Sequence, residues 1–578
     1  MPDTKQDVLD MLRDLTELTL LEEGDAQSFR VRAYENATQA IAEQANDLGR
    51  LSLKDLQKIH AVGKSTAEKV RELLETGKVG KLEALRQKYP RSLVALLRLQ
   101  GVGPKAVRRL QAELGIQSLD DLRRAIAEQK LRQLKGFGQK SEEKLGQAIE
   151  RLEREGALTR TPISVALPHA QRIVSELAAL PGVTHASYCG SLRRFAETVG
   201  DIDIVVVSDS PTAVMDAVVA LPVVDRVLGR GETKTSIVTQ RGVQVDVRVV
   251  QAHQLGAALL YFTGSKAHNV RLRQRALSRG WTLNEYALSE LNGGRIVAGE
   301  TEHDIYSALG LPFIAPELRE DWGELEAAEN GQLPQPMGAL SGDFHVHTSV
   351  SGDGRSSLEE MVSEARVRGY GVMALTDHAE GTLSGVSREA LLAQREQVRA
   401  LQRELGESLL LLHGVELNIG PEGELDYDAE FRNSFDWCVA SVHSHFELDR
   451  AAQTRRIVSA MRDPSVRMIG HLTARMIGGR PPIELDLPAV FEAAKDTQTA
   501  LEINGALPRL DPAPDALRLA QTHGVTFLLT SDAHHTQELG LTDFAARHAQ
   551  RARLPRELVA NTWPAPRLRA WTTRPASS

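Results

Sequence analysis

Asp201 and Asp203 stand two apart in the run "DIDIVVV", alternating with apolar residues. In an extended strand such residues share a face, so their carboxylates converge while Ile202 and Ile204 pack behind. A third acid, Asp246, occupies the polar face of a second alternating run, "VQVDVRVV". Three carboxylates gathered from two strands can hold two divalent cations roughly 3.5–4 Å apart, as in-line phosphoryl transfer requires. Upstream of Asp201, Gly190 and Ser191 close the apolar stretch "HASYCGS". A small turn of this kind leaves backbone N–H groups and a hydroxyl free to grip phosphate oxygens. The adjacent Arg193–Arg194 pair suits an anion clamp by one of its two members.

A second set of chemical groups lies further along. His345 and His347 project together from one strand in "DFHVHTSVSGDG", with Asp353 close behind. His378, Glu416, His443, His471, Asp532 and His534 follow, each at the end of an apolar run. A single histidine at a strand end is usually a hydrogen-bonded core residue. Repetition at strand after strand instead reads as an imidazole–carboxylate cluster suited to Mn, Zn or Fe.

The elements that must carry these groups differ along the chain. Residues 1–155 are helical in pattern, broken by "IHAVGKSTAEKV", "LQGVGPKAVRRL" and "LKGFGQKSEEKL". Such spacing predicts repeated helix–hairpin–helix units. Gly101, Gly103 and Lys105, and likewise Gly136, Gly138 and Lys140, are candidate contacts to a DNA backbone, because a glycine hairpin turns N–H groups toward phosphate without reading sequence. From "TPISVAL" the texture changes to short β-branched runs with intervening helices, an α/β module. Residues 321–340 read as a linker. Beyond them, apolar strands alternate with helices, predicting a parallel β/α barrel-like sheet with its chemistry at the C-terminal strand ends.

Composition bounds the rest. A chain of 578 residues exceeds one core and must divide into domains. The net charge of −8 argues against a uniformly basic DNA-coating protein but leaves room for local basic surfaces. With only 4% aromatic residues, stacking platforms for single strands are not expected to dominate. Cys189 and Cys438 each sit in an apolar run, as buried thiols of a reducing compartment do. The N-terminus carries no signal pattern and no stretch is long and apolar enough to span a membrane, so a cytoplasmic protein without membrane association is expected.

The stretch "CGSLRRFAETVGDIDIVV", continued by "YFTGSKAHNVRLRQRAL" at 261–277, resembles the nucleotidyltransferase signature of family X DNA polymerases, the group of DNA polymerase beta. The resemblance implies that Ser191 and Arg194 hold the β- and γ-phosphates of a deoxynucleoside triphosphate. It further implies that Tyr261, Phe262 and Gly264 lie against the sugar and exclude a 2′-hydroxyl. Asn269 then meets the base edge and Arg273 the template. Two residues depart from the pattern: Lys266 replaces an acid, placing a cation near the nucleotide, and Gln244 replaces an arginine that orients the third aspartate. Residues 1–88 resemble the family's N-terminal lyase domain, with Ala67-Glu68-Lys69 matching its Ala-Glu-Lys motif. Lys69 is thus a candidate Schiff-base nucleophile, with Lys64 nearby to lower its pKa; Ser65 replaces a supporting lysine, and a phosphate-binding Lys69 stays equally open.

The C-terminal cluster resembles the PHP (polymerase and histidinol phosphatase) domain, whose nine ligand positions are all matched. This implies up to three ions of Mn2+, Zn2+ or Fe2+ bridged by Glu416, with Asp377 supporting His378 from outside, His445 contacting phosphate, and His413 and His535 unassigned. The implied order is a lyase-like domain over 1–88, helix–hairpin–helix fingers over 89–155, a nucleotidyltransferase palm over 156–254, a small α+β thumb over 255–320, the linker, and a PHP distorted β/α barrel over 341–575. The implied activity is gap-filling DNA synthesis in repair with Mg2+ or Mn2+ in the palm. The PHP site then acts as a 3′→5′ exonuclease, 3′-phosphatase or abasic-site endonuclease. Gapped or primer–template DNA and deoxynucleoside triphosphates are the expected partners of a monomer. Two alternatives remain: a polymerase half serving mainly as a DNA-binding platform, and a PHP site acting on a small phosphate ester.

Overall fold

The computed structural model describes residues 4–24, 28–42, 48, 51–59, 61–94, 96, 103–134, 138, 142, 145–146, 160–382 and 384–573. The chain divides into two compact units, Met1–Thr159 and Arg160–Ser578.

The first unit is helical. Helices α1 (Thr4–Glu23) and α2 (Phe29–Ala42) pack with α3 (Lys64–Thr76) and α4 (Pro104–Leu114) around Leu12, Leu15, Leu21, Val70 and Leu110. Helix α3 starts from Gly63 and α4 from Gly103, both in extended backbone conformation, with Pro104 supplying a preset φ for the first turn. In the third repeat the Glu142 N–H donates to Gly138 O at 3.0 Å, the same first-turn bond. A Cβ at Gly63, Gly103 or Gly138 would meet no protein atom within 4 Å, so each hairpin is open on that side. Gly101, Gly136 and Lys140 lie outside the described residues.

The second unit begins with α5 (Ile163–Ala178), β1 (Val183–Tyr188), the short α6 (Gly190–Arg193), β2 (Asp201–Ser208), β3 (Val224–Arg230), β4 (Lys234–Thr239) and β5 (Gln244–Val250). These strands form one sheet in the order β1-β2-β5-β4-β3, with only β2 and β5 parallel. The alternation places Ile202, Ile204 and Val206 of β2 with Val245, Val247 and Val249 of β5 in one core under α5. That packing leaves the intervening acids on the opposite face. Helices α7 (Leu255–Thr263), α8 (Lys266–Leu277) and α9 (Glu302–Ala308) follow, with a small three-stranded antiparallel sheet.

The expected linker is packed rather than loose. Within it α10 (Glu324–Glu329) contributes Leu325 and Ala328 to the core of the preceding module, and Met337 and Leu340 join the core of the next. Its Glu324 is fully buried and bonded to His268 at 2.7 Å. Acidic composition suggested exposure; pairing with a buried histidine is what reverses it.

Seven parallel strands complete the unit: β6 (Gly342–Val346), β7 (Val372–Leu375), β8 (Leu410–Asn418), β9 (Trp437–Ser441), β10 (Val466–Ile469), β11 (Ala500–Asn504) and β12 (Phe527–Thr530). They lie in sequence order. The His347 N–H donates to Ala533 O at 2.8 Å, bringing the last strand end back beside the first in a nearly closed barrel. Helix α11 (Thr542–Arg551) follows β12. No helix among the described residues is long and apolar enough to cross a membrane.

Candidate active sites

In the palm sheet, Asp203 of β2 is in register with Asp246 of β5, and Asp201 with Gln244. All three predicted carboxylates therefore rise from neighbouring strands onto one face. Burial, with Asp201 and Asp246 alongside, pushes Asp203 up to about 7. Burial and then Asp246 raise Asp201 as well. Asp246 goes the other way: its burial is outweighed by bonds from Lys234, Gln244 and Ser236, which hold it below the usual range. Lys234 Nζ lies 2.7 Å from Asp246 Oδ2, and Gln244 Nε2 donates to Asp246 Oδ1 at 3.1 Å. Gln244, noted in the sequence as a departure, thus holds the third aspartate, helped by a lysine the sequence reading had not singled out. Mutually repelling, partly desolvated carboxylates are the donor set that a divalent cation satisfies.

Gly190 has φ +64 and opens α6 directly beneath Asp203. A Cβ there would lie 2.5 Å from Asp203 Oδ2, so only glycine permits this approach. Behind the turn, Arg193 bonds Glu302 at 2.6 Å and Thr263 Oγ1 at 2.6 Å. Arg194 donates to Glu320 Oε1 at 2.9 Å and to Thr263 O at 2.5 Å. Gly264, with φ +66, caps α7 against the Arg194 guanidinium. The Tyr261 and Phe262 rings meet edge-on at 5.1 Å, with Arg273 over Tyr261 and Arg248 over Phe262. Asn269 Nδ2 donates to Tyr261 O at 2.8 Å. Tyr261, Asn269 and Arg273 line one shallow cavity, while Lys266 is exposed at the start of α8.

In the first unit, Lys69 is half-buried on α3 and donates to Ser65 O at 3.0 Å and Ser65 Oγ at 2.7 Å. Burial lowers its pKa; the assisting cations are Lys81 and Arg30 instead of the expected Lys64. Lys105 lies in the first turn of α4, next to Pro104.

At the C-terminal ends of the barrel strands, the nine predicted imidazoles and carboxylates gather, with Glu416 at their centre. Its carboxylate lies 3.3 Å from His345 Nε2, 3.7 Å from His347 Nε2 and 2.8 Å from His378 Nδ1. His443 and His471 approach it at 3.3 and 3.2 Å. Asp532 lies 3.4 Å from His347, and Asp353 lies 3.2 Å from His378 and 3.6 Å from His534. Against the cost of its burial, His443, His345 and His378 hold the Glu416 carboxyl well below the usual range. His345 Nε2, both ring nitrogens of His347, Asp353 Oδ1 and Glu416 Oε2 are buried without a hydrogen-bond partner. Unsatisfied buried donor atoms converging at such distances are costly unless a ligand satisfies them. Three subsets, His347/His378/His534, His345/His347/Asp532 and His378/Glu416/His443, have ligand atoms close enough to share an ion. The residues present fit a polynuclear metal centre.

Several supporting residues escaped the sequence reading. Glu502 Oε1 lies 2.7 Å from His345 Nδ1, and Asn418 Oδ1 lies 2.7 Å from His443 Nδ1. Asn504 Nδ2 donates to Asp532 Oδ2 at 3.0 Å. Glu502 and Asn504 stand two apart in the strand "ALEIN", the same-face signal used for Asp201 and Asp203. Asp377 behaves differently from expectation. It accepts from Thr348 N and Oγ1 and from Ser351 N, and Ser351 Oγ in turn accepts from His378 N. Asp377 therefore fixes the loop after His347 and reaches His378 only through Ser351. His445 is half-exposed, His413 is buried against Phe435 away from the cluster, and His535 caps the turn after His534.

Four family descriptions match the chain: a helix-hairpin-helix domain over 3–79, a SAM-like helix-hairpin-helix tandem over 93–151, DNA polymerase beta thumb over 258–320 and PHP domain over 343–506. A Bacillus subtilis protein named DNA polymerase/3′-5′ exonuclease PolX is 35% identical over 539 residues, 93% of each chain. A probable phosphatase of Vibrio vulnificus is 31% identical over 214 residues, 35% of this chain and 82% of its own. The DNA polymerase lambda of Rattus norvegicus is 28% identical over 302 residues, 47% of this chain and 49% of its own. With the polymerase-type carboxylates and the imidazole cluster on one chain, and a relative matched along nearly its full length, this protein belongs to the bacterial family X DNA polymerases that carry a C-terminal PHP domain.

Proposed function

We propose that the palm extends a DNA 3′ end at a short gap, and that the PHP barrel hydrolyses phosphodiesters at such ends in the 3′→5′ direction. The observation that carries this reading is the pairing of two separate donor sets in one compact unit: Asp201, Asp203 and Asp246 on the palm, and Glu416 with eight groups around it in the barrel. The Bacillus subtilis relative, named a DNA polymerase/3′-5′ exonuclease, supports it. Divalent cations bound in the two sites supply electrophilic charge to phosphoryl oxygens, Mg2+ or Mn2+ suiting the all-carboxylate palm and Mn2+, Zn2+ or Fe2+ the imidazole-rich barrel.

The chain's own residues do the positioning. Gly190 and Ser191 N–H groups and the Arg194 guanidinium grip the β- and γ-phosphates, while Tyr261, Phe262 and Gly264 close on the sugar and refuse a 2′-hydroxyl. Asn269 meets the base edge, Arg273 the template, and Lys266 adds a cation beside the nucleotide. Lys234 and Gln244 hold Asp246 in place for the primer end. Burial and the neighbouring Asp201 and Asp246 raise the Asp203 carboxyl, an arrangement that a divalent cation held by the three acids would relieve. The glycine hairpins at Gly103–Lys105 and Gly138, with Gly101, Gly136 and Lys140, hold the DNA backbone. Lys69, half-buried with a lowered pKa, is placed to attack the sugar aldehyde of a cleaved abasic site.

A gapped duplex supplied with deoxynucleotides and Mn2+ tests both sites. Asp203→Ala is expected to abolish extension while keeping 3′ trimming, and His345→Ala to do the reverse. Extension by Asp203→Ala at the wild-type rate overturns the palm assignment. The likeness of the barrel to a probable phosphatase favours a second PHP reading, removal of a terminal phosphate. Release of inorganic phosphate from a 3′-phosphorylated primer without shortening it would select that reading.

A further inference from the structure

The barrel domain reaches into the nucleotide side of the palm. Arg551, on α11, donates through Nη1 to Glu320 Oε1 at 2.6 Å and to the backbone Arg194 O at 2.9 Å. Arg194 donates to that same Glu320 oxygen at 2.9 Å. One carboxylate therefore serves two guanidinium groups, and all three side chains are at most 13% exposed. The same sharing recurs beside it, where Arg193 and Arg319 both bond Glu302. Here four guanidinium groups share two carboxylates, while the neighbouring Arg547–Glu317 pair is internally balanced. Among these paired side chains the guanidinium groups outnumber the carboxylates they bond, on the side of the Gly190 turn away from the palm acids. A guanidinium that shares its carboxylate with a second one is held less tightly by it and gives it up to an incoming anion at lower cost.

We infer that Arg551 of the PHP domain is a positioning residue for the polymerase reaction: it occupies Glu320 so that Arg194 is free to take the triphosphate. This rests on the assignment of Arg194 to the β- and γ-phosphates. With Arg551 in place, Glu320 keeps a counter-ion when Arg194 turns to phosphate. Without it, Glu320 has Arg194 alone, and nucleotide must compete with a buried carboxylate for that guanidinium. Arg547 steadies the approach, donating to Arg193 O at 3.2 Å and stacking over Phe195 at 4.4 Å. The dependence is specific in sign: removing the cation weakens nucleotide binding, and removing the carboxylate it occupies relieves the loss.

The test is single-nucleotide insertion on a gapped duplex with the full-length chain, reading KM for the deoxynucleotide apart from kcat. Arg551→Ala should raise KM about tenfold, within the usual range of coupling between sites, and change kcat far less. Glu320→Gln should leave KM at or below the wild-type value, and Arg551→Ala/Glu320→Gln should return KM toward it. A purely structural role predicts instead that the double variant is worse than either single one. An unchanged KM in Arg551→Ala, or a double variant at least as impaired as Arg551→Ala, overturns the inference. If Arg551→Ala does not fold, Glu320→Gln decides: a raised KM refutes the competition. Arg194→Ala separates the two levels of the argument. If it leaves KM unchanged, the assignment of Arg194 to nucleotide fails and the inference with it. If it raises KM while Arg551→Ala does not, only the Arg551 coupling is lost.

Discussion

Replacing Gly190 by alanine perturbs the palm at its tightest point. The backbone there has φ +64, which costs an alanine about 1–2 kcal/mol. Its Cβ would stand 2.5 Å from Asp203 Oδ2, where ordinary contact begins at 3.4 Å. Relief requires Asp203 or the turn to move by nearly an ångström. Asp203 cannot retreat easily, because its backbone O accepts the Cys189 N–H at 2.7 Å and its strand is paired on both sides. A displacement of about 1 Å in a catalytic group can cost about 100-fold in rate. Gly190→Ala should therefore lower kcat/KM for gap filling about 100-fold, with a loss of stability of about 1–2 kcal/mol from the backbone. Primer extension on a gapped duplex measures the first and thermal unfolding the second, with 3′ trimming by the barrel as the internal control. Extension within threefold of wild type would show that the Gly190–Asp203 approach does not position the palm acids for the reaction.

Other perturbations read different parts of the molecule. Lys234→Ala removes the cation that holds Asp246; since Lys234 is partly exposed, the loss in kcat should be about tenfold, below the full value of a charge-assisted bond. Lys234→Arg should recover part of it in the same extension assay. Glu502→Gln weakens the partner of His345 Nδ1 and should cost the barrel about 10–100-fold in metal affinity or trimming, measured by metal titration, with extension unchanged. His548 is fully buried on α11, and burial, despite Glu197 nearby, depresses it to about 4. The unfolded chain therefore takes up a proton that the folded chain refuses between pH 6.5 and about 4, and stability falls as pH drops through that window. The loss amounts to about 3 kcal/mol. In His548→Gln the pH dependence of the unfolding midpoint should flatten by that amount relative to wild type.

What the sequence disclosed followed from periodicity. Asp201, Asp203 and Asp246 could be placed on one face because a strand repeats every two residues, and Ile202, Ile204, Val245 and Val247 marked the other face. The barrel donors could be found because each ends an apolar run, and parallel strands in sequence order bring such ends together. The hairpin glycines announced themselves by repetition. The residues that tune these groups carried no such mark. Lys234 is an ordinary surface lysine until β4 pairs antiparallel with β5 and sets Lys234 opposite Arg248, within reach of Asp246. Glu502 and Asn504 shared a detectable spacing, yet their role depends on His345 being 157 residues away in sequence and 2.7 Å away in space. The 321–340 stretch read as a linker because acids and glycines usually face water; only the fold supplies His268 to bury Glu324.

The arginines of α11 sharpen that distinction. In sequence, Arg547 and Arg551 are one helical turn apart on an arginine-rich helix, with nothing in the pattern to reveal a buried role. In the structure they bond Glu317, Glu320 and the backbone of Arg193 and Arg194. Nearby, Arg475 joins Glu197 of the palm to Leu510 O and Arg509 O in the barrel, close to the Asp532 partner Arg509. A surface in which each arginine bridges a carboxylate and a backbone carbonyl is selective about geometry and unforgiving of a missing partner. Independent domains joined by a tether would have no use for it. The palm and the barrel are therefore built as one body, and the orientation of Arg194 is a property of that body instead of the palm alone.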